Sequence, residues 1–501
     1  MSSALVACTP SVFESAALAR GLEHSRVCRT GMGPHAAARC AASPRVRSAA
    51  ALAVVGIAAG VDPSLVPGDV VVATEVRDPD GDRTPCRSAP LLSSALRRSG
   101  LRVSEGPVAS VTHVVTQRER DVLGADGVLC ADMESAWLVA NPPTPATAVV
   151  RVVADPAGHP LFAPATLPRI WEALHTLPRL GDALEGWAAV TGPHRVQLAG
   201  PRSFCAGVVR AIEVVERALA RTAPPVYVRR QIVHNSHVVR RLEHLGAVFV
   251  DELEEVPTGG TVVFSAHGVS PAVHQEARER GLHVIDATCP LVTKVHAELR
   301  RFADRGDTVI FIGHRGHDET VGTMGERPDG TVLVQDAADA RTVAVDDPDH
   351  VSYLVQTTLA ADEVGGIVDT LRERFPRLQA PPSDDICYAT TNRQRALQRV
   401  AVDADLVLVV GSPNSSNSQR LVEGAARLGR PAHLVDDASD IDLDWLRGVS
   451  TVGLTAGASA PESLVDEVVE ALRGLGPVEL VDQPMVSENV HFVVPKEVRS
   501  P

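Results

Sequence analysis

Residues 384–396 read DDICYATTNRQRA. One cysteine, Cys387, stands between two acids and a run of hydroxyl and amide side chains, a poor setting for an inert core thiol. The same grammar occurs twice more: AGPRSFCAGVVRAIEVVERAL carries Cys205, and VIDATCPLVTKVHAELRRFA carries Cys289. Each stretch reads as an apolar strand, a short polar loop bearing one cysteine, and then a helix. The cysteines lie 84 and 98 residues apart (205 to 289, 289 to 387), about one small α/β unit each. Three such modules around a common centre are expected, because open α/β sheets gather ligands at the carboxyl ends of their strands.

The chain has 501 residues, more than one ordinary core organises, so at least two domains are expected. Residues 176–202, TLPRLGDALEGWAAVTGPHRVQLAGPR, pass from a helix-like pattern through Gly and Pro and restart as a strand, which puts the boundary at 192/193. On the N-terminal side, ALAVVGIAAG and GDVVVATEV read as buried strands and DMESAWLVA as a helix start, so both halves are α/β. Hydrophobic residues at 45% and charged residues at 22% are the mix of a soluble globular protein. With 48 Lys and Arg against 62 Asp and Glu, the net charge of −14 argues against nucleic acid as a partner. No run of about 18 apolar residues occurs, and MSSALVACTPSVFESAALARG lacks a signal-peptide pattern, so no membrane association and a cytoplasmic location are expected. There, thiols stay reduced, and the eight cysteines point to metal binding, catalysis or burial before disulfides.

Only Cys205, Cys289 and Cys387 fall in the last three hundred residues. A single cysteine would be read as a small buried hydrophobe, but three at equivalent positions beside polar residues favour a shared metal. A closed structural zinc site, the alternative, prefers four ligands and close C-x-x-C pairs, which are absent here. A 4Fe-4S cluster held by three thiolates leaves one iron open for chemistry. The remaining loops, IVHNSHVV, FSAHGVS, IGHRGHDETVGTMG, VQTTLAADE, GSPNSSNSQRL and LTAGASAPESL, offer many neutral donors and few fixed charges. Each alone reads as a turn or cap; together they suit a diphosphate. HDET adds a carboxylate placed to move protons, Glu319, next to His317.

From PRSFCAGVVRAIE through YVRRQIVHN, FSAHGVS, DATCPLVTKVH, GHDETVGTMG, QTTL, DICYATTNRQ, NSSNSQRL and TAGASAPE to ENVHFVVPKEVR, residues 196–501 resemble the 4-hydroxy-3-methylbut-2-enyl diphosphate reductases. That resemblance implies a 4Fe-4S cluster on Cys205, Cys289 and Cys387. It implies diphosphate binding by His234, His267, Ser415, Ser416, Asn417 and Ser459, and proton relay by Glu319, His317 and Thr357. A ferredoxin- or flavodoxin-type protein would supply the two electrons. The first loop reads GPRSFCAGV where that family carries a glycine before the aromatic residue, so Ser203 is expected to alter the turn.

In the N-terminal part, TGMGPHAAA is a glycine-bearing turn into a helix, either an anion site or an ordinary tight connection. With GIAAGVDPSLVPGDVVVA, CADMESAWL and RVVADPAG it resembles the nucleoside phosphorylases and nucleosidases, nearest to short phosphorylase-like proteins associated with hopanoid synthesis. The resemblance implies that Gly31 and Gly33 lie by a phosphate or its vestige, that Glu134 holds ribose hydroxyls, and that Asp155 protonates the leaving base. The alternative is an inactive binding or regulatory module.

Overall fold

The computed structural model describes residues 5–158, 166–222 and 224–499. The first four residues of the stretch read for a signal peptide lie outside these. The chain is mixed α/β throughout and divides into two compact units: residues 1–196, 437–452 and 466–481, and residues 197–436, 453–465 and 482–501. Among the described residues no helix is long and apolar enough to cross a membrane.

In the first unit, ALAVVGIAAG forms the strand Ala51–Gly60, buried along almost its whole length because it has partners on both edges and cover on both faces. It pairs with Thr147–Asp155, that strand with Val70–Arg77, that with Val103–Ser110, that with Cys130–Asp132, and the last returns to Ala51–Gly60. The five strands therefore close a ring. Leu5–Thr9 and Arg26–Arg29 extend the sheet in parallel beyond Ala51–Gly60. The turn TGMGP holds Gly31 and Gly33 at φ +85° and +83°, backbone that side-chain-bearing residues avoid, and delivers the chain into the helix Pro34–Ala41.

The second unit carries the three modules. One has four parallel strands in the order Ala247–Val250, Val226–Arg229, Thr261–Phe264, His283–Asp286. Another has three, with Thr308–Ile312 between Thr331–Val334 and Val351–Val355. The remaining sheet contains Leu406–Val410 beside Ala432–Val435. Helix Ala206–Arg221 buries Val208, Ala211, Ile212, Val215 and Ala218, a 3.6-residue stripe, against Val226, Val228, Val263 and Ile285.

One expectation is corrected. Cys205 and Cys289 follow strands, His194–Gly200 and His283–Asp286, but no strand leads into Cys387. The segment before it makes a single bridge, Ser352 to Gln379. Pro376, Pro381 and Pro382 lie in that segment, and each removes a backbone donor that a ladder needs.

Candidate functional site

Cys205, Cys289 and Cys387 each occupy the N-cap of a helix, Ala206–Arg221, Pro290–Asp304 and Tyr388–Ala401, and none spends its side chain on capping. Helix N-termini favour negative charge, which suits thiolate ligands. Their backbone N–H groups are committed instead: Cys289 to the Ala266 carbonyl at 2.9 Å, Cys387 to Thr357 at 3.0 Å and Cys205 to Ala458 at 3.2 Å. Those carbonyls belong to, or directly precede, His267, Thr357 and Ser459. One backbone bond per loop thus sets each sulfur against a residue read as substrate-facing.

Cations close the triangle. Arg210, on the helix capped by Cys205, donates to the Ala287 and Thr288 carbonyls just before Cys289, at 2.9 and 3.0 Å. Lys294, on the helix capped by Cys289, reaches the Ser383 and Asp384 carbonyls before Cys387, at 3.3 and 2.9 Å. Arg393, on the helix capped by Cys387, is fully buried and donates to the Ser203 carbonyl at 2.6 Å, two residues before Cys205. Each helix braces the next cysteine loop in turn.

A Cβ added to Gly207 would stand 2.8 Å from Cys289 Sγ and 3.8 Å from Cys205 Sγ, so the glycine keeps the space between the sulfurs clear. Burial pushes the Cys289 thiol up to about 11 and the Cys387 thiol up to about 12, and the facing Cys205 adds to both. Together the three thiols offer a soft donor set of the kind that thiophilic metals prefer.

The same cavity contains every residue read as binding or catalytic in this half. Glu319 is buried; it accepts from the Thr357 backbone N–H at 2.7 Å and from the Thr357 hydroxyl at 2.8 Å. Burial raises its carboxyl to about 7, against the pull of those two donors. His317 caps the helix Asp318–Met324, its Nδ1 accepting from the Glu319 N–H at 3.2 Å, which leaves Nε2 to carry the proton. Burial, then His234, brings His317 down to about 4.

His234 and His267 stack with ring centroids 4.1 Å apart. Burial lowers both, and neither ring nitrogen of His234, nor Nδ1 of His267, has a hydrogen-bond partner. Buried imidazole nitrogens left unpaired signal a ligand. Opposite them, the Ser459 hydroxyl donates to the His234 carbonyl at 2.9 Å and lies 3.3 Å from Ser415 Oγ, Asn417 Oδ1 accepts from the Ala458 N–H at 2.9 Å, and Ser416 Oγ meets Thr358 Oγ1 at 3.0 Å. These bonds preset the hydroxyls and amide.

Sequence reasoning missed Asp318 and Arg230. Asp318 Oδ2 stands 3.9 Å from His234 and 4.0 Å from His267, while its other oxygen is held by Arg230. The motif HDET contained Asp318; nothing local showed that Arg230, at φ +56°, would reach it.

The sequence model of the LytB protein family matches residues 196–473, over half of the chain. The chain belongs to the LytB family. It is 57% identical over 325 residues to 4-hydroxy-3-methylbut-2-enyl diphosphate reductase 2 of Mycobacterium bovis, covering 64% of this chain and 98% of that protein. It is 55% identical over 306 residues to the reductase of Azoarcus sp., covering 61% and 98%. A solved structure, the E-1-hydroxy-2-methyl-but-2-enyl-4-diphosphate reductase of Plasmodium falciparum, superposes with a TM-score of 0.58 at 37% identity, covering 62% of this chain and 96% of that one. The phosphorylase superfamily model matches residues 23–160.

In this LytB sequence Ser203 keeps the glycine-like turn: its φ is +59°, and its hydroxyl donates to Glu462 at 2.6 Å. The left-handed backbone costs about 1 kcal/mol, and the hydrogen bond returns about 1 kcal/mol. Ser203→Ala, which keeps the strain and loses the bond, is therefore expected to be about 1 kcal/mol less stable than Ser203→Gly, which loses both. Urea midpoints of the two variants, with Ser203→Gly close to the parent, check this.

Outside the LytB segment, Glu134 and Asp155 line one pocket with Met32, Ile57 and Met133. Glu134 is buried and accepts from the Gly33 N–H at 2.9 Å; burial raises its carboxyl, with Arg151 opposing. Gly33 thus meets Glu134, while Gly31 shapes the preceding turn and is absent from the pocket lining. Asp155 is ion-paired through Oδ2 with Arg120, and its Oδ1 has no hydrogen-bond partner.

Proposed function

We propose that the LytB part of the chain carries out reductive dehydroxylation of (E)-4-hydroxy-3-methylbut-2-enyl diphosphate to isopentenyl and dimethylallyl diphosphates, the last step of the methylerythritol phosphate route to isoprenoids. The observation that carries this reading is Glu319, a buried carboxyl raised to about 7, in one cavity with three free thiols and two unpaired imidazoles. We assign this part to residues 193–501 and the phosphorylase-like part to 1–192.

Cys205, Cys289 and Cys387 would hold a 4Fe-4S cluster, and the site fits one: three uncommitted thiols at helix N-termini, with a glycine clearing the space between two of them. When bound, the cluster would relay the donor's electrons one at a time and offer a Lewis-acidic iron for the hydroxyl group. The electrons come from a ferredoxin- or flavodoxin-type donor, with two protons taken up and one water released per turnover. His234, His267, Ser415, Ser416, Asn417 and Ser459 bind the diphosphate. An arriving anion reverses the conditions that keep the imidazoles neutral, so binding recruits protons to His234 and His267. Thr357 holds Glu319 by both carboxyl oxygens and orients it, and Glu319 delivers a proton to the departing hydroxyl. His317 presents its Nε2 proton to the same cavity. A cytoplasmic location is consistent with eight free cysteines.

Glu319 is the acid only while protonated. Because burial raises it, kcat/KM is expected to fall as pH rises through about 7, the protonated fraction being lost above that value. Glu319→Gln should lack this limb in anaerobic pH profiles. The function itself is tested by incubating iron-loaded full-length protein anaerobically with the substrate and a chemical reductant. Formation of both five-carbon diphosphates is the expected result; no consumption of substrate by iron-loaded protein rejects the proposal.

A second activity, on a purine nucleoside, is favoured by one observation: Glu134, seated on Gly33, and Asp155 share a pocket in the phosphorylase-like part. Release of a free base by the full chain from nucleosides, including adenosyl-lipid conjugates, and its loss in Glu134→Ala would support it. Neither cleavage nor binding would leave a scaffold or regulatory module.

A further inference from the structure

Five cysteines lie outside the reductase site, and three of them meet. Cys8 on the strand Leu5–Thr9 and Cys28 on Arg26–Arg29 are register partners in a parallel pair, so their side chains leave the sheet on one face. Cys40, in the last turn of the helix Pro34–Ala41, comes down on that face. Cys28 Sγ and Cys40 Sγ are 3.5 Å apart, and all three sulfurs lie within 4.8 Å of one another. We propose that Cys8, Cys28 and Cys40 form a zinc(II) site, separate from the reductase centre, with three thiolates from the protein and one open position.

The geometry matches a single ion. Sulfurs bound to one zinc at about 2.3 Å stand roughly 3.8 Å apart in a tetrahedral arrangement, within the span these three occupy. The donor set is purely thiolate, which selects soft or borderline metals over magnesium or calcium. Among the described residues no histidine or carboxylate joins the group, so an external ligand or water completes it. Charge separates zinc from copper(I). Three thiolates leave a net charge of about −1 around zinc(II) and about −2 around copper(I), and Arg45 acts electrostatically on Cys28 to offset the smaller residue of charge. Cys8 and Cys40 are buried, whereas Cys28 is half-buried and gives the ion a way in. The helix that carries Cys40 begins at Gly33, whose N–H holds Glu134 in the neighbouring pocket. An ion here would pin that helix to two strands and so steady the Gly31–Gly33 turn.

The test uses iron-loaded full-length protein and its variants Cys28→Ser and Cys40→Ser. The parent is expected to hold about one zinc per chain beyond its iron, and each variant to lose it with iron content and reductase activity unchanged. Titration of zinc-depleted parent with cadmium(II) should show thiolate-to-cadmium absorption saturating at one equivalent, a readout that does not depend on the variants folding. Parent that takes up neither metal, zinc retained in both variants, uptake of copper(I) alone, or a Cys28–Cys40 disulfide in the anaerobically purified parent would each overturn the assignment.

Discussion

Glu319→Gln is expected to lower kcat by about 10²- to 10⁴-fold, the range that a positioned proton donor supplies. Iron content and substrate KM are expected to stay near those of the parent. The substitution preserves shape: the amide oxygen still accepts from the Thr357 N–H, and the amide nitrogen donates to the Thr357 hydroxyl, which turns from donor to acceptor. Removing the charge in a buried site carries little folding penalty, because burial already favours the neutral form of Glu319. What disappears is the proton. A fall in kcat with KM unchanged marks an interaction made on the way to the transition state. Anaerobic steady-state kinetics beside iron analysis decide the matter: iron lost in proportion to activity would show that Glu319 supports the site structurally.

Cys387→Ser is expected to abolish measurable turnover by removing the iron that Cys387 is proposed to hold. Serine is among the best N-cap residues, and position 387 is the N-cap of Tyr388–Ala401, so the helix is kept or gains by up to about 1 kcal/mol. The backbone bond from residue 387 to the Thr357 carbonyl also survives, since it uses the main chain. A folded protein with little iron is therefore the expected product, and misfolding cannot account for the loss. Iron and sulfide analysis of anaerobically purified protein, with circular dichroism as the control for folding, tests this. Full iron occupancy in the variant would remove Cys387 from the ligand set.

The three cysteine loops were legible because their chemistry is local: a thiol at the start of a helix is written in consecutive residues. Glu319 and His317 were legible for the same reason, sharing the motif HDET at the head of Asp318–Met324. The strand expected before Cys387 from the pattern shared with the other two loops is absent, because Pro376, Pro381 and Pro382 remove backbone donors that a ladder needs. Arg210, Lys294 and Arg393 looked like ordinary helix cations, and only the folded chain reveals that each meets carbonyls of the next cysteine's loop. The Cys8, Cys28 and Cys40 cluster escaped notice because it depends on the parallel register that sets Cys8 against Cys28, which no spacing in the sequence announces.

By itself, then, the sequence determined the α/β class, the three cysteine-led helices of the second unit and the residue types available for redox and proton chemistry, since turn signals, periodicity and motifs act over a few residues. Tertiary structure alone decided which groups are charged and which are paired. Burial raises the Glu319 carboxyl to about 7 and lowers His234 and His267, because burial and neighbours set ionisation and those are properties of the assembled core.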